Sequence, residues 1–259
     1  MSQPSQARVA LITGAGRKRV GHAIAWSLGE AGYRIALHYH RSKDEAEETV
    51  RTMQAAGIEA VAFGADVTDE AQVARMFDQA MDHFGRLDGL VATASIWSSM
   101  PLEKITAAEM RRHFDVNTLG TFLCARRAGL LMAAQEEGGA IVTFGDWAIH
   151  RPYPDYVAYF TSKGALPTLT YALAVELARR NPRVRVNCIH PGPVLYPPEM
   201  SEAERQKVLQ ATLLKQANRP ECVAQAVQFL LENEFITGAC LPVDAGRTIY
   251  AAGELERED

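Results

Sequence analysis

Tyr159 and Lys163 stand four residues apart in a stretch with helical patterning, so on a helix their side chains share one face. An ammonium beside a phenol favours tyrosinate and lowers the phenol pKa from about 10 toward the working range. Such a hydroxyl is prepared to exchange a proton with a reacting group. A surface Tyr and Lys at this spacing would do nothing, so the pair gains meaning only from what surrounds it.

A second chemistry-bearing stretch lies near the N-terminus. Thr13-Gly14-Ala15-Gly16-Arg17-Lys18-Arg19-Val20-Gly21 separates an apolar run from a helical pattern. Glycines at a strand-to-helix turn let the backbone approach a pyrophosphate, and the helix N-terminus supplies amide donors and partial positive charge. The three consecutive cations would form a solvated basic turn in isolation. Their context is the end of the second apolar run, His38-Tyr39-His40-Arg41-Ser42-Lys43, which has no carboxylate before Asp44. A carboxylate there would bond the ribose hydroxyls of NAD and repel a 2′-phosphate. Cations and a hydroxyl suit that phosphate. NADP(H) is therefore the expected cofactor. Thr13, Gly14, Val20 and Gly21 would supply the turn, and Arg17, Lys18, Arg19, His40, Arg41 and Ser42 the phosphate contacts.

The elements that must position these groups alternate along the chain. Strands are expected at residues 8–13, 34–40, 59–65, 89–93, 140–144 and 183–189. Helices are expected at 21–31, 44–56, 70–84, 107–134 and 157–180, with a polar helix at 201–210. Nearly continuous apolar strands, each followed by a helix, indicate a parallel sheet covered on both faces. No Pro/Gly/Ser-rich linker divides the 259 residues. The expected fold is therefore one α/β domain, a doubly wound Rossmann-type sheet spanning 1–259, with tails at 1–7 and about 251–259.

Composition removes other classes. A net charge of -4 gives no clustered basic face for nucleic acid. No apolar run approaches the roughly 18 residues that span a bilayer, and MSQPSQAR lacks a signal-peptide core, so a cytoplasmic location is expected. Cys124, Cys188, Cys222 and Cys240 are scattered without CxxC spacing and read as buried free thiols. His113, His150 and His190 show no metal-ligand spacing, and no metal is expected.

Taken in order, the turn at 13–21, Asp66-Val67, Asn117, Tyr159-x-x-x-Lys163 and Pro191-Gly192 resemble the short-chain dehydrogenase/reductase family over essentially the whole chain. The resemblance implies that Asp66 and Val67 touch the adenine and that Pro191 and Gly192 lie along the nicotinamide. It also implies that Lys163 bonds the nicotinamide ribose, that Asn117 holds a water linking the lysine to solvent, and that the chain forms a homotetramer through its two long helices. Two departures stand out. The usual Asn-Asn-Ala-Gly is replaced by Ala92-Thr93-Ala94-Ser95, leaving Thr93, Ala94 and Ser95 beside the cofactor. The usual serine thirteen residues before the tyrosine is replaced by Asp146.

An aspartate at that position is similar to the pteridine reductases and dihydromonapterin reductases. The run Leu37-His38-Tyr39-His40-Arg41-Ser42 resembles their 2′-phosphate segment, and Lys18-Arg19 before Val20-Gly21 resembles their phosphate turn, with one residue more. Ala94-Ser95-Ile96-Trp97 resembles their Ala-Ser-x-aromatic motif, which stacks on a pterin. This resemblance implies NADPH-dependent hydride transfer to a C=N bond of a pterin-like small molecule, with Asp146 and Tyr159 supplying the proton. Ser95, Trp97, Asp146, Tyr156 and Tyr159 would line the substrate pocket. Asp146 could instead be an ordinary turn cap, and Trp97 a core residue. Burial would raise the Asp146 pKa and Lys163 would lower it. The segment at 195–200 could close over substrate or be a rigid connection. An NADPH-dependent carbonyl reductase and a non-catalytic NADP(H)-binding regulator stand as alternatives.

Overall fold

A computed structural model describes residues 7–196, 200–216 and 219–250. The expected tails at 1–6 and 251–259, and the centre of the 195–200 segment, lie outside those residues. Seven parallel strands form one sheet in the order β3-β2-β1-β4-β5-β6-β7. They are β1 (Val9–Thr13), β2 (Arg34–Tyr39), β3 (Ala60–Gly64), β4 (Gly89–Ala92), β5 (Gly139–Phe144), β6 (Val184–Pro191) and β7 (Cys240–Val243). The crossover helices are α1 (Val20–Glu30), α2 (Lys43–Ala55), α3 (Glu70–Phe84), α4 (Ala107–His113), α5 (Gly120–Ala133), α6 (Val157–Ala178), α7 (Glu202–Gln210) and α8 (Pro220–Glu232).

Why the strands read as apolar runs is visible in β1. Val9 and Leu11 pack with α3, α5 and α6, whereas Ala10 and Ile12 pack with α1, α2 and α8. Both faces are covered, so alternation disappears from the sequence. Strand order reverses between β1 and β4, and their carboxyl ends open a crevice where ligands of doubly wound folds bind.

Two elements escaped sequence reading, β7 and α8. β7 is four residues long with a proline at an edge position, too short for a periodic signal. The expected helix at 107–134 is also interrupted. Between α4 and α5 the chain opens into a π-helical turn, Phe114–Leu119. Such wide turns recur at functional sites, and this one carries the fully buried Asn117.

Candidate active site

The crevice at the β1/β4 switch is a cleft of ≈ 1810 Å³, running from the glycine turn past the end of β5 to the segment after β6. Single-ligand pockets occupy about 300–1,000 Å³, so this cleft has room for a dinucleotide and a second molecule.

At its first end, the turn after β1 is held by side chains from three strands. Gly14 has φ +69, and an added Cβ would lie 2.8 Å from the Ala94 Cα. Gly21 packs so closely on Thr93 that a Cβ would reach 2.5 Å from its Oγ1. The Gly14 N–H donates to His38 Nδ1 at 3.0 Å, while His38 Nε2 lies 3.0 Å from the Ala65 carbonyl. An imidazole that accepts at one nitrogen and faces a carbonyl at the other is neutral, and burial pushes its pKa down to about 4. His38 was read only as part of a segment; its role depends on contacts to Gly14 and Ala65, which spacing does not reveal.

Thr13 corrects one expectation. It is buried, its Oγ1 accepts from the Ala94 N–H at 3.1 Å, and its carbonyl accepts from the Thr93 hydroxyl. Thr13 and Thr93 thus clasp β1 to the end of β4, and only Thr93 borders the cleft. Arg17, Lys18, Arg19, His40 and Arg41 are exposed at the rim around the buried Ser42, which precedes α2. Arg17 lies 3.7 Å from Glu45, and His40 lies 3.6 Å from Asp66. Among the described residues no ion pair involves Lys18, Arg19 or Arg41. Partial burial opposes ionisation of Asp66, but hydrogen bonds from Thr68 and the charge of His40 hold its carboxyl below the usual range. Val67 and Ala94 complete the wall.

At the other end stand Asp146, Tyr159 and Lys163. The Tyr159 hydroxyl donates to Asp146 Oδ2 at 2.7 Å, and Ala148 N–H donates to Oδ1 at 2.8 Å. Asp146 therefore caps the short 3-10 turn Trp147–Ile149 and at the same time faces the tyrosine. Burial raises its pKa and prevails over the lowering effects of the Ala148 and Tyr159 hydrogen bonds and of Lys163. The expected lowering of the Tyr159 pKa is overturned. Burial, then the charge and acceptor of Asp146, hold the phenol well above its ordinary value. Lys163 donates instead to the Phe144 carbonyl at 2.7 Å, and burial brings its pKa down to about 8. Tyr159 is thereby kept as a protonated donor.

Asn117 stitches this end to the β4 loop. Its Oδ1 accepts from Ile96 N–H at 2.8 Å and lies 3.0 Å from the Ser95 hydroxyl. Its Nδ2 donates to the Ile96 carbonyl and to Ser162 Oγ, and Ser162 Oγ donates to the Tyr159 carbonyl at 2.7 Å. Asn117 thus positions the α6 backbone between Tyr159 and Lys163 without touching either side chain. Pro191 and Gly192 border the cleft beyond β6, where Gly192 N–H donates to Val243 at 2.9 Å. β7 therefore holds this wall.

An aromatic group closes the same end. Trp97 is half exposed and lies parallel to Tyr156, with centroids 4.9 Å apart and planes at 17°. Tyr153 meets Tyr156 edge-on at 5.1 Å and lies tilted to Trp147 at 6.2 Å. The Arg247 guanidinium stands 4.8 Å from the Trp147 ring centroid. Tyr153, Trp147 and Arg247 were not anticipated; Arg247 reaches the cleft only by packing on a ring a hundred residues earlier in the chain, which spacing does not reveal.

Comparison with known proteins agrees with this fold. Residues 14–248 match the family model described as enoyl-(acyl carrier protein) reductase. Glucose 1-dehydrogenase 2 of Bacillus subtilis is 34% identical over 94% of this chain and 95% of its own. Versicolorin reductase stcU of Emericella nidulans is 34% identical over 92% and 95%. Among solved structures, a doubly substituted short-chain dehydrogenase/reductase of Serratia marcescens superposes with TM-score 0.85 at 30% identity, over 95% of this chain and all of that one. A putative short-chain alcohol dehydrogenase of Sinorhizobium meliloti gives TM-score 0.86 at 31% identity, over 94% and 97%. The chain belongs to the short-chain dehydrogenase/reductase family, oxidoreductases that use a nicotinamide cofactor and act on small molecules.

Proposed function

We propose that this protein is an NADPH-dependent reductase of a C=N bond in a flat, pterin-like ring. The observation that carries the reading is the Tyr159–Asp146 hydrogen bond at 2.7 Å, where the family usually has a serine in place of the carboxylate. The glycine turn fits a dinucleotide: Gly14 and Gly21 leave no room for a Cβ, and the N-terminus of α1 follows directly. When bound, the nicotinamide supplies the hydride. The exposed Lys18, Arg19 and Arg41 beside Ser42 favour the 2′-phosphate form.

The protein's own groups then handle the proton. A ring nitrogen gaining electrons must be protonated, and Asp146, whose pKa burial raises, is the acid placed to carry that proton. Tyr159, kept as a phenol, refills it or donates directly. Lys163 holds the Phe144 carbonyl and thereby the end of β5 that precedes Asp146. Tyr156 covers one face of Trp97, so the other is available to a flat substrate.

Oxidation of NADPH in the presence of a dihydropterin tests this directly. Turnover that Asp146→Ser abolishes while NADPH binding persists supports the reading. Turnover undiminished by that substitution sinks the acid role of Asp146. A carbonyl substrate is the second reading. It is favoured by relatives named for glucose and versicolorin, and a protonated Tyr159 suits a carbonyl oxygen equally well. Turnover of a ketone with none of any dihydropterin would replace the first reading by the second. Exposed Leu119 and Leu130 at α5, with Tyr171 and Val175 on α6, suit the packing of a homotetramer, which the mass of the native assembly tests.

A further inference from the structure

Behind the cleft, the sheet gathers three donors that no sequence spacing joins. Cys188 and His190 are two residues apart on β6, so their side chains emerge on one face. Cys240 on β7 is the direct register partner of Cys188 and emerges on that same face. One ligand atom from each of the three lies within 4.8 Å of the others. His190 is 3% exposed, and its Nε2 is buried without a hydrogen-bond partner. Nothing in ordinary packing accounts for that, since a buried polar atom left unpaired costs on the order of 1–3 kcal/mol.

Both atoms pack on Gly145. A Cβ at this position would stand 2.9 Å from His190 Nε2 and 3.4 Å from Cys188 Sγ, so nitrogen and sulphur face the same backbone position, which only glycine leaves free of a side chain. Two soft sulphurs and an imidazole are the ligand set of zinc-class cations. Tetrahedral zinc, with bonds of about 2.3 Å to sulphur and 2.0–2.1 Å to nitrogen, sets ligand atoms roughly 3.5–3.8 Å apart. The widest separation therefore needs to contract by about 1.0–1.3 Å, within reach of side-chain rotation.

We propose that Cys188, His190 and Cys240 form a binding site for a thiophilic divalent cation of the zinc class, with a fourth position left to solvent. Each thiol gives its proton to solvent as the cation takes both thiolates. The two negative charges cancel the cation's two positive ones. The loaded site is thus neutral and adds no like charge beside the buried Lys163. Because Gly145 precedes Asp146, and β7 bonds Gly192 through Val243, the cation would brace two walls of the cleft from behind.

Titration of the reduced full-length protein with Co2+ is the test. We expect a thiolate-to-cobalt charge-transfer band and tetrahedral ligand-field bands that saturate at about one equivalent per chain and are displaced by Zn2+. Cys240→Ser should lose the charge-transfer band, and Cys222→Ser should keep it. If Cys240→Ser fails to fold, alkylation of the unmodified protein decides: Zn2+ should shield Cys188 and Cys240 while leaving Cys222 unaffected. Absence of the bands, their persistence in a folded Cys240→Ser protein, or equal labelling with and without Zn2+ would overturn the proposal. So would isolation of the protein with Cys188 and Cys240 joined as a disulfide and no uptake of Co2+ after reduction.

Discussion

The two ends of the cleft handle charge in opposite ways. At the glycine turn the cations Lys18, Arg19 and Arg41 are exposed. At the end of β5, Asp146, Tyr159 and Lys163 are buried, and burial shifts each toward its uncharged form. The first end can attract and hold an anion but cannot move a proton. The second holds a carboxyl and a phenol in direct hydrogen bond, an arrangement along which a proton can pass. On the proposed reading, binding and chemistry lie apart along the carboxyl ends of the strands, and substitutions at the two ends should separate in the same way.

The largest effect is expected from Tyr159→Phe. It removes the only phenol bonded to Asp146 among the described residues and leaves the phosphate turn untouched. Loss of a positioned acid costs about 10²–10⁴ in turnover. The cofactor dissociation constant, measured by fluorescence titration, should change by less than about threefold, under 1 kcal/mol. An equal loss in both quantities would break the separation of the two ends.

A second effect concerns the buried imidazole beneath the cofactor end. His38 is neutral in the fold, with burial pushing its pKa down to about 4, against about 6.5 unfolded. The unfolded chain therefore binds the extra proton first as pH falls. The stabilising contribution is fully present above about 6.5 and is lost as pH drops toward 4, on the order of 3 kcal/mol over that window. Urea unfolding at pH 7 and pH 5 should show the decline, and His38→Gln should flatten it. An unchanged pH slope in the variant would assign the acid sensitivity elsewhere, with His190 the next candidate, since burial also lowers its pKa to about 4.

How much of this was legible in the sequence follows the same division. The phosphate turn is one contiguous stretch, so its glycines and cations could be read directly, and β1 to β6 followed from apolar runs. The fit of Tyr159 with Asp146 rested on family spacing, and the structure joins them by a hydrogen bond. What could not be read was the sign of the Tyr159 shift. Four residues of separation suggested that Lys163 would govern it, but Lys163 is spent on the Phe144 carbonyl, and burial with Asp146 governs instead. Thr13 was misassigned for a related reason: a residue beside a ligand loop need not face the ligand. Arg247, Tyr153 and the Cys188–His190–Cys240 cluster depend on β6–β7 pairing and loop packing, which leave no periodic trace.

The third effect sharpens the electrostatic half of the comparison. Arg41→Ala should weaken NADPH binding about tenfold, the value of one charge-assisted contact of roughly 1.5 kcal/mol, and leave NADH binding unchanged. Because Arg41 is exposed, the loss should shrink as salt is added. Equal loss for both cofactors would mean that Arg41 supports the loop rather than the 2′-phosphate.

The smallest effect tests whether the aromatic wall belongs to the buried end or only borders it. Stacking contributes about 1 kcal/mol beyond area burial, so Trp97→Ala should raise KM about fivefold and leave kcat nearly unchanged. Trp97 and Tyr156 stack on each other at 4.9 Å, so each supports the other's ring. Changing both to alanine should therefore cost less than the product of the two single losses, as contacting residues are not additive. Independent, multiplicative losses would mean that the rings meet substrate separately. A fall in kcat instead would move Trp97 from holding the ring to aligning it with the proton on Tyr159.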